Sequence, residues 1–299
     1  MAPDPSLTAY RVGSAAARAV PTPVASALSS ALAAAAASAM RGRRAMVERH
    51  MRRVHGPHLR GLALRRAVNE VFNSYTRYWI ESFRLPGLDP AAVDAGMSYE
   101  GWGHIEDGLA AGKGVIVALP HLGGWEWAGF WVAEVQHRPV TVVVEPLEPP
   151  ELFEWFADFR RSLGMTVVPL GQGAGNAVLG ALKRNEVVCL LSDRDIGGGG
   201  VEVEFFGERT TLPAGPATLA LRTGAPLLPV AVYFRGRRGH HAVIRPPLPV
   251  ERTDGRLRAD VARVTQALAH QLEILIRAAP EQWHLLQPNW PSDLEVVAQ

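Results

Sequence analysis

The 299-residue chain has one cysteine, Cys189, and two lysines, Lys113 and Lys183. A single cysteine excludes a disulfide framework and any CxxC pair for metal or redox work, and its place in the apolar run EVVCLLSD reads as a buried strand position. No GxSxG elbow occurs, which leaves a serine hydrolase without an obvious nucleophile. His50, His55, His58 and the pair His240 and His241 have no third partner at metal-ligand spacing, so no metal site is expected. A long apolar run is also missing. Residues 19–40, AVPTPVASALSSALAAAAASAM, carry no charge, but alanine and serine dominate and two prolines interrupt. Only Val20, Val24, Leu28, Leu32 and Met40 are strongly apolar there, far short of the roughly 20 such residues that a spanning helix needs. Asp4, Arg11 and Arg18, without a leucine-rich core, argue against a secretory leader. An Ala-rich helix that packs closely on its neighbours, or lies at a bilayer surface, is expected instead.

What is present is an ordinary globular balance, 47% hydrophobic and 20% charged, with a net charge of only +2. The distribution of charge says more than the total. Between Arg41 and Arg66 nine arginines and three histidines face one acid, Glu48. Such a run suits an anionic partner, above all an anionic membrane surface, although a solvated basic helix face has the same composition. Nucleic acid is not expected, because aromatic residues are not interleaved with the arginines as base stacking requires.

The first hundred residues read as helical. Phe72, Tyr75, Trp79 and Phe83 recur at helical spacing and form one aromatic face, either plain core or the wall of an apolar site. From Lys113 onward short apolar runs alternate with helical stretches: GVIVALP, PVTVVVEPL, MTVVPL, EVVCLLSD and PLLPVAVYF are separated by amphipathic segments. This order implies an α/β fold, a central, mainly parallel, mixed sheet flanked by helices, with sites at the carboxyl ends of the strands. A single domain over 1–299 is expected, with 1–100 as a helical, membrane-facing extension and 101–299 as the α/β core.

The stretch LPHLGGWEW, residues 119–127, ends one such strand. An imidazole there, oriented by a carboxylate at Nδ1, can take a proton at Nε2, and its reference pKa near 6.5 suits neutral pH. In a continuous helix His121 and Glu126 would sit about 140° apart, so they can pair only if His121 lies in the loop and Gly123 and Gly124 turn the chain back. Otherwise they are a strand-end histidine and an unrelated glutamate. A second glycine cluster, Gly171, Gly173 and Gly175, opens a helix about 20 residues before Asp193 and imitates a dinucleotide fold, yet Asn176 stands where GxGxxG needs glycine. In DRDIGGGGVEVEFFGERTTLPAGPATLALRTGAPLLPV, alternation puts Glu202 and Glu204 on one face of a strand, where they meet water or line a polar site.

These residues resemble a known family. HLGGWE is similar to the HX4(D/E) signature of glycerolipid and lipid A type acyltransferases, and the stretch from Asp193 to Val230 resembles the second block of that superfamily. The likeness runs from about Tyr10 to Pro291, includes SYTRYWIESFRLPG and PEQWHLLQPNW, and is greatest to the phosphatidylinositol mannoside branch of actinobacteria. It implies transfer of an acyl chain from acyl-CoA, a co-substrate, to a hydroxyl of a membrane glycolipid, without metal or cofactor, by a peripheral protein on the cytoplasmic face of the plasma membrane. By the resemblance His121 is the general base and Glu126 the motif acid; Glu202, or else Glu208, is a further catalytic position. Glu145, Arg160, Asp193, Arg194 and Trp125 join the substrate site. Trp125, Trp127, Phe130 and Trp131 are expected in an acyl groove, at the lipid interface or in ordinary core. The motif ends in glutamate, as in the lipid A branch, where the mannoside branch is expected to carry aspartate.

Overall fold

The computed structural model describes residues 5–20, 33, 35, 37–253 and 255–297. Helices α1 (Pro5–Ala19), α2 (Arg41–His55), α3 (Gly61–Arg84) and α4 (Pro90–Ala95) come first. Strand β1 (Met97–Glu100) and α5 (Gly103–Ala110) follow, then β2 (Val115–Leu119), α6 (Trp125–Phe130) and β3 (Val140–Val144). Next come α7 (Pro150–Arg161), β4 (Met165–Pro169), α8 (Ala174–Lys183), β5 (Val187–Leu191), and the strands β6 (Val201–Phe205) and β7 (Glu208–Leu212). The chain ends with α9 (Gly215–Thr223), β8 (Leu227–Arg235), β9 (Gly239–Ile244), α10 (Leu257–Ala278) and α11 (Pro291–Val297).

Seven strands form one sheet in the order β1-β9-β8-β2-β5-β3-β4, parallel throughout except for the β8–β9 pair. The expected α/β architecture is therefore present. Every residue of β2 is buried, as a parallel strand covered on both faces requires. Ile116 and Ala118 pack with Val47 and Met51 of α2, Val68 and Phe72 of α3, and Val264 and Leu268 of α10. Val115, Val117 and Leu119 face the other layer, with Ile105, Trp127, Phe130 and Phe159. Each fully buried side chain of this size contributes about 1.5–3 kcal/mol, so the two layers hold the central strand ends firmly.

Two elements depart from the sequence reading. Met97–Glu100, inside the stretch expected to be helical, adds a parallel edge strand to β9. Its four residues carry no period of their own, and the free edge of β9 supplies the hydrogen bonds. VEVEFFG does not join the main sheet; β6 and β7 make a separate antiparallel hairpin whose turn residues Phe206 and Gly207 both have positive φ, the conformation of a type I′ turn. Of the Ala-rich stretch, Ala33 and Ala37 are buried in the core, while positions 21–32, 34 and 36 lie outside the described residues.

The basic segment divides. Arg49 binds Asp293 at 2.9 Å and Arg53 binds Glu208 at 2.8 Å, tying α2 to α11 and to the hairpin. Arg41, Arg43, Arg52, Arg60, Arg65 and Arg66 are exposed, and Leu62 beside them is 69% exposed. No helix among the described residues is long and apolar enough to cross a membrane.

Gly123 carries the chain from β2 to α6. Its φ is +59°, and a Cβ there would overlap the carbonyl of Val232 on β8. Gly123→Ala should therefore cost about 3 kcal/mol or more in urea denaturation, whereas Gly197→Ala, in open space, should cost less than about 1 kcal/mol. Equal stabilities for the two variants would contradict this account of the loop.

Candidate active site

Strands β2 and β5 are in register, with Leu119 opposite Leu191. Two residues beyond each lie His121 and Asp193, so residues 72 apart in sequence meet at the carboxyl edge of the sheet. His121 Nδ1 lies 2.7 Å from Asp193 Oδ1. The carboxylate is fully buried, whereas the imidazole keeps 29% of its surface. Asp193 Oδ2 also accepts from the His121 backbone N–H at 3.1 Å and from Trp283 Nε1 at 2.7 Å. Burial alone would raise the pKa of this aspartate, but the facing imidazole and these hydrogen bonds outweigh it, and the pKa is lowered. With Nδ1 held as donor, Nε2 is left as the acceptor of His121.

The segment PEQWHLLQPNW braces this pair. Besides Trp283, Asn289 Nδ2 donates to the Asp193 carbonyl at 3.0 Å, and the His284 N–H donates to the His121 carbonyl at 2.7 Å. Gly123 N–H binds the Gln282 carbonyl at 2.9 Å. His284 is itself buried, and burial, with the nearby charge of His121, lowers its pKa from 6.5 to about 3, so it stays neutral; its Nε2 lies 2.8 Å from Ser74 Oγ.

Glu126 does not reach His121. The expectation that the two glycines fold the motif acid back onto Nδ1 is corrected here, because Asp193 occupies that nitrogen. Glu126 sits in the first turn of α6 and points inward, 2% exposed. Its Oε1 accepts from Tyr78 Oη at 2.6 Å and from Arg160 Nη2 at 3.2 Å. Burial raises its pKa, against the opposing pull of Arg160 and of the Tyr78 hydroxyl. The guanidinium of Arg160 also lies 5.0 Å over the Trp125 ring. Glu126 thus fixes Arg160 and Tyr78, residues of two other helices.

A cavity of about 610 Å³ opens at this point, lined in part by His121, Tyr78, Trp125, Glu145, Arg160 and Arg194. Arg194 lies 3.6 Å from Glu145. The amino ends of α8 and α9 border the same cavity through Gly171, Ala174 and Gly175 and through Ala214, Gly215 and Pro216. The two helix amino ends favour an anion on this wall, while its arginines, Arg160 and Arg194, stand beside Glu126 and Glu145. The glycines that imitate a dinucleotide fold therefore line the cavity of His121, and Asp193, the residue which would take a ribose in that fold, is occupied by the imidazole. Asp195 caps the glycine run, accepting from Gly198 and Gly200. Trp125 also borders a narrow apolar cavity of about 50 Å³ with Trp131, Val142, Met165 and Cys189. Burial pushes the Cys189 thiol up to about 12. Trp127 and Phe130 pack in the core layer beside it.

Glu202 and Glu208 are not at the cavity. Glu202 is 70% exposed on the outer face of the β6–β7 hairpin, 3.5 Å from Arg209, because the alternating Val203 and Phe205 take the inner face. Glu208 is held by Arg53 and Ser292. Neither supports His121. Tyr78, Trp283, His284 and Asn289 were not singled out as site residues by sequence; only the place of Tyr78 in SYTRYWIESFRLPG and of the other three in PEQWHLLQPNW, within the family likeness, pointed toward them.

This α/β chain places the His121–Asp193 pair at the carboxyl ends of parallel strands, where enzymes of such architecture bind their substrates. Residues 7–292 match the bacterial lipid A biosynthesis acyltransferase family, and the chain belongs to that family of acyltransferases. It is 44% identical over 226 residues, 74% of this chain and 69% of the relative, to a phosphatidylinositol mannoside acyltransferase of Mycobacterium tuberculosis (strain CDC 1551 / Oshkosh). A protein of the same description from Mycolicibacterium smegmatis is 40% identical over 74% of this chain and 71% of its own. A lipid A biosynthesis acyltransferase of Haemophilus influenzae is 27% identical over 60% of this chain and 54% of its own.

Two outcomes follow from this geometry. Asp193→Asn should lower kcat for acyl transfer by roughly 10²-fold or more, since the imidazole loses its orienting acceptor, while Glu202→Gln should stay within about twofold. A comparable loss in both would contradict the assignment. His284 takes no proton in the fold until about pH 3, whereas the unfolded chain takes one near 6.5, so stability falls as the pH drops between those values. The slope contributed is at most about 1.4 kcal/mol per pH unit, and urea midpoints from about pH 7 to about pH 5 should fall less steeply in His284→Gln than in the wild type. Equal slopes would refute the buried neutral imidazole.

Proposed function

We propose that the protein transfers a fatty acyl chain from acyl-CoA to a hydroxyl of a mannosylated phosphatidylinositol at an anionic membrane surface. The observation that carries this reading is the His121–Asp193 pair opening on the cavity, joined to the identity with the mycobacterial relatives. His121 Nε2 takes the proton of the acceptor hydroxyl as the oxygen attacks the thioester carbonyl. The tetrahedral oxyanion collapses, the C–S bond breaks, and the imidazolium returns its proton to the departing thiolate. A positioned base of this kind is worth roughly 10² to 10⁴ in rate.

The remaining groups have parts in the same reaction. Arg160, held by Glu126 and stacked on Trp125, offers positive charge to the oxyanion or to a phosphate. Arg194 and the amino ends of α8 and α9 suit the phosphates of coenzyme A. Trp125 borders both the reaction cavity and the narrow apolar one, and so offers apolar surface to the start of the hydrocarbon chain. The exposed arginines of 41–66, with Leu62 among them, would lie against anionic lipid on the cytoplasmic face.

Radiolabelled acyl-CoA tests the reading, offered with mannosylated phosphatidylinositol, a lysophospholipid and an under-acylated lipid A precursor. Label should appear in the mannosylated lipid and fall by roughly 10²-fold or more in His121→Ala. Label in another acceptor instead would redirect the acceptor, transfer only from acyl carrier protein would redirect the donor, and equal transfer by His121→Ala would remove the base.

A further inference from the structure

Of the described residues that line the cavity of His121, Tyr78 alone comes from the N-terminal helices. It sits on α3 and is buried. Its ring is clamped by stacking on Tyr75, with centroids 6.3 Å apart, by Trp79 at 5.1 Å and by the His284 ring at 5.4 Å. A ring held on three sides fixes where the hydroxyl stands, and that hydroxyl donates to Glu126 Oε1 at 2.6 Å.

Arg160 has little else to place it. Its Nη2 donates to the same Oε1 at 3.2 Å, longer than the roughly 2.7–2.9 Å of a strong charge-assisted bond. The Trp125 and Phe156 rings lie 5.0 and 5.8 Å from its guanidinium, and its Nε has no hydrogen-bond partner among the described residues. Glu126 is anchored through one oxygen as well, since Oε2 has no such partner either. The shorter of the two bonds on Oε1 is therefore the one that sets the carboxylate, and the carboxylate sets Arg160. Charge depends on the same hydroxyl. Burial raises the pKa of Glu126, while Arg160 from α7 and the Tyr78 hydroxyl from α3 oppose it. Without the hydroxyl that pKa rises further, and a protonated Glu126 no longer balances Arg160. Tyr78 itself stays a donor, because burial and the charge of Glu126 hold its own pKa well above the ordinary value.

We infer that Tyr78 is a positioning residue for acyl transfer, whose hydroxyl fixes Glu126 and, through it, the Arg160 guanidinium at the cavity wall. The inference rests on the part proposed above for Arg160. It also makes α3 a member of the reaction site, because the α/β core supplies Glu126 and Arg160 but not the group that sets them.

The test is transfer from radiolabelled acyl-CoA to whichever of the three lipids named above takes the label, followed between about pH 5 and pH 9. Tyr78→Phe keeps the ring and should lower kcat/KM at least about tenfold at neutral pH. Its acid limb should move to higher pH, because Glu126 must be charged and now loses its charge earlier as the pH falls. Tyr75→Phe removes a hydroxyl three residues earlier on α3, without a bond to Glu126, and should stay within about twofold. In a Glu126→Gln background the further change Tyr78→Phe should also cost less than about twofold, since the path to Arg160 is already cut. A rate and acid limb unchanged in Tyr78→Phe, or its full loss repeated in the Glu126→Gln background, would overturn the inference. A second readout needs no acceptor. The Glu126 carboxyl of carbon-13-labelled protein, assigned by its absence in Glu126→Gln, should titrate at higher pH in Tyr78→Phe, and an unmoved titration would overturn the inference even without transfer. Failure of the proposed function shows separately: transfer to none of the lipids contradicts that function, and a wild-type rate in Arg160→Gln contradicts the part given to Arg160.

Discussion

The bond between His121 Nδ1 and the buried Asp193 carboxylate is the contact around which the rest of the site is arranged. It exists because β2 and β5 are parallel neighbours in register, so that the chain two residues past each strand arrives at the same place. The bond is then enclosed. Trp283 takes the second carboxylate oxygen, Asn289 takes the Asp193 carbonyl, and His284 takes the carbonyl of His121. A buried carboxylate without such partners would be protonated or would pull the loop open. With them it is held charged, and the imidazole keeps one tautomer and one orientation.

The second polar centre is independent of the first. Glu126, five residues after His121, satisfies two side chains that arrive from α3 and α7, and so joins the N-terminal helices to the cavity wall. A buried ion pair such as Glu126 with Arg160 adds little net stability relative to well-packed apolar residues, but loss of one partner leaves an uncompensated charge and costs about 3–5 kcal/mol. The spacing of the motif follows from this division of labour. His121 must stay in the loop at the strand end, and the glutamate must be inside the next helix, facing away.

Much of this was legible in the sequence, for identifiable reasons. The alternation of apolar runs and amphipathic stretches pointed to the sheet, and the strand-end rule put His121 at its carboxyl edge, because both depend on local pattern. Trp125, Glu145, Arg160 and Arg194 were anticipated through the family likeness and do line the cavity. Asp193 was anticipated in the substrate site and not as the partner of His121, since 72 residues separate the two and only strand order brings them together. Glu202 looked available from its alternation, yet its hairpin stands apart from the main sheet. Strand β1 and the bracing by Trp283 and Asn289 are likewise products of non-local pairing, which no spacing encodes.

The central claim is that Asp193, and not the acid of the HLGGWE motif, holds the imidazole of His121. Nitrogen-15 labelling of the histidines tests it directly, through the Nδ1-bound proton of His121, which a buried charged acceptor shifts far downfield and shields from exchange. That resonance should vanish in Asp193→Asn and persist in Glu126→Gln. Its survival in Asp193→Asn together with its loss in Glu126→Gln would contradict the account.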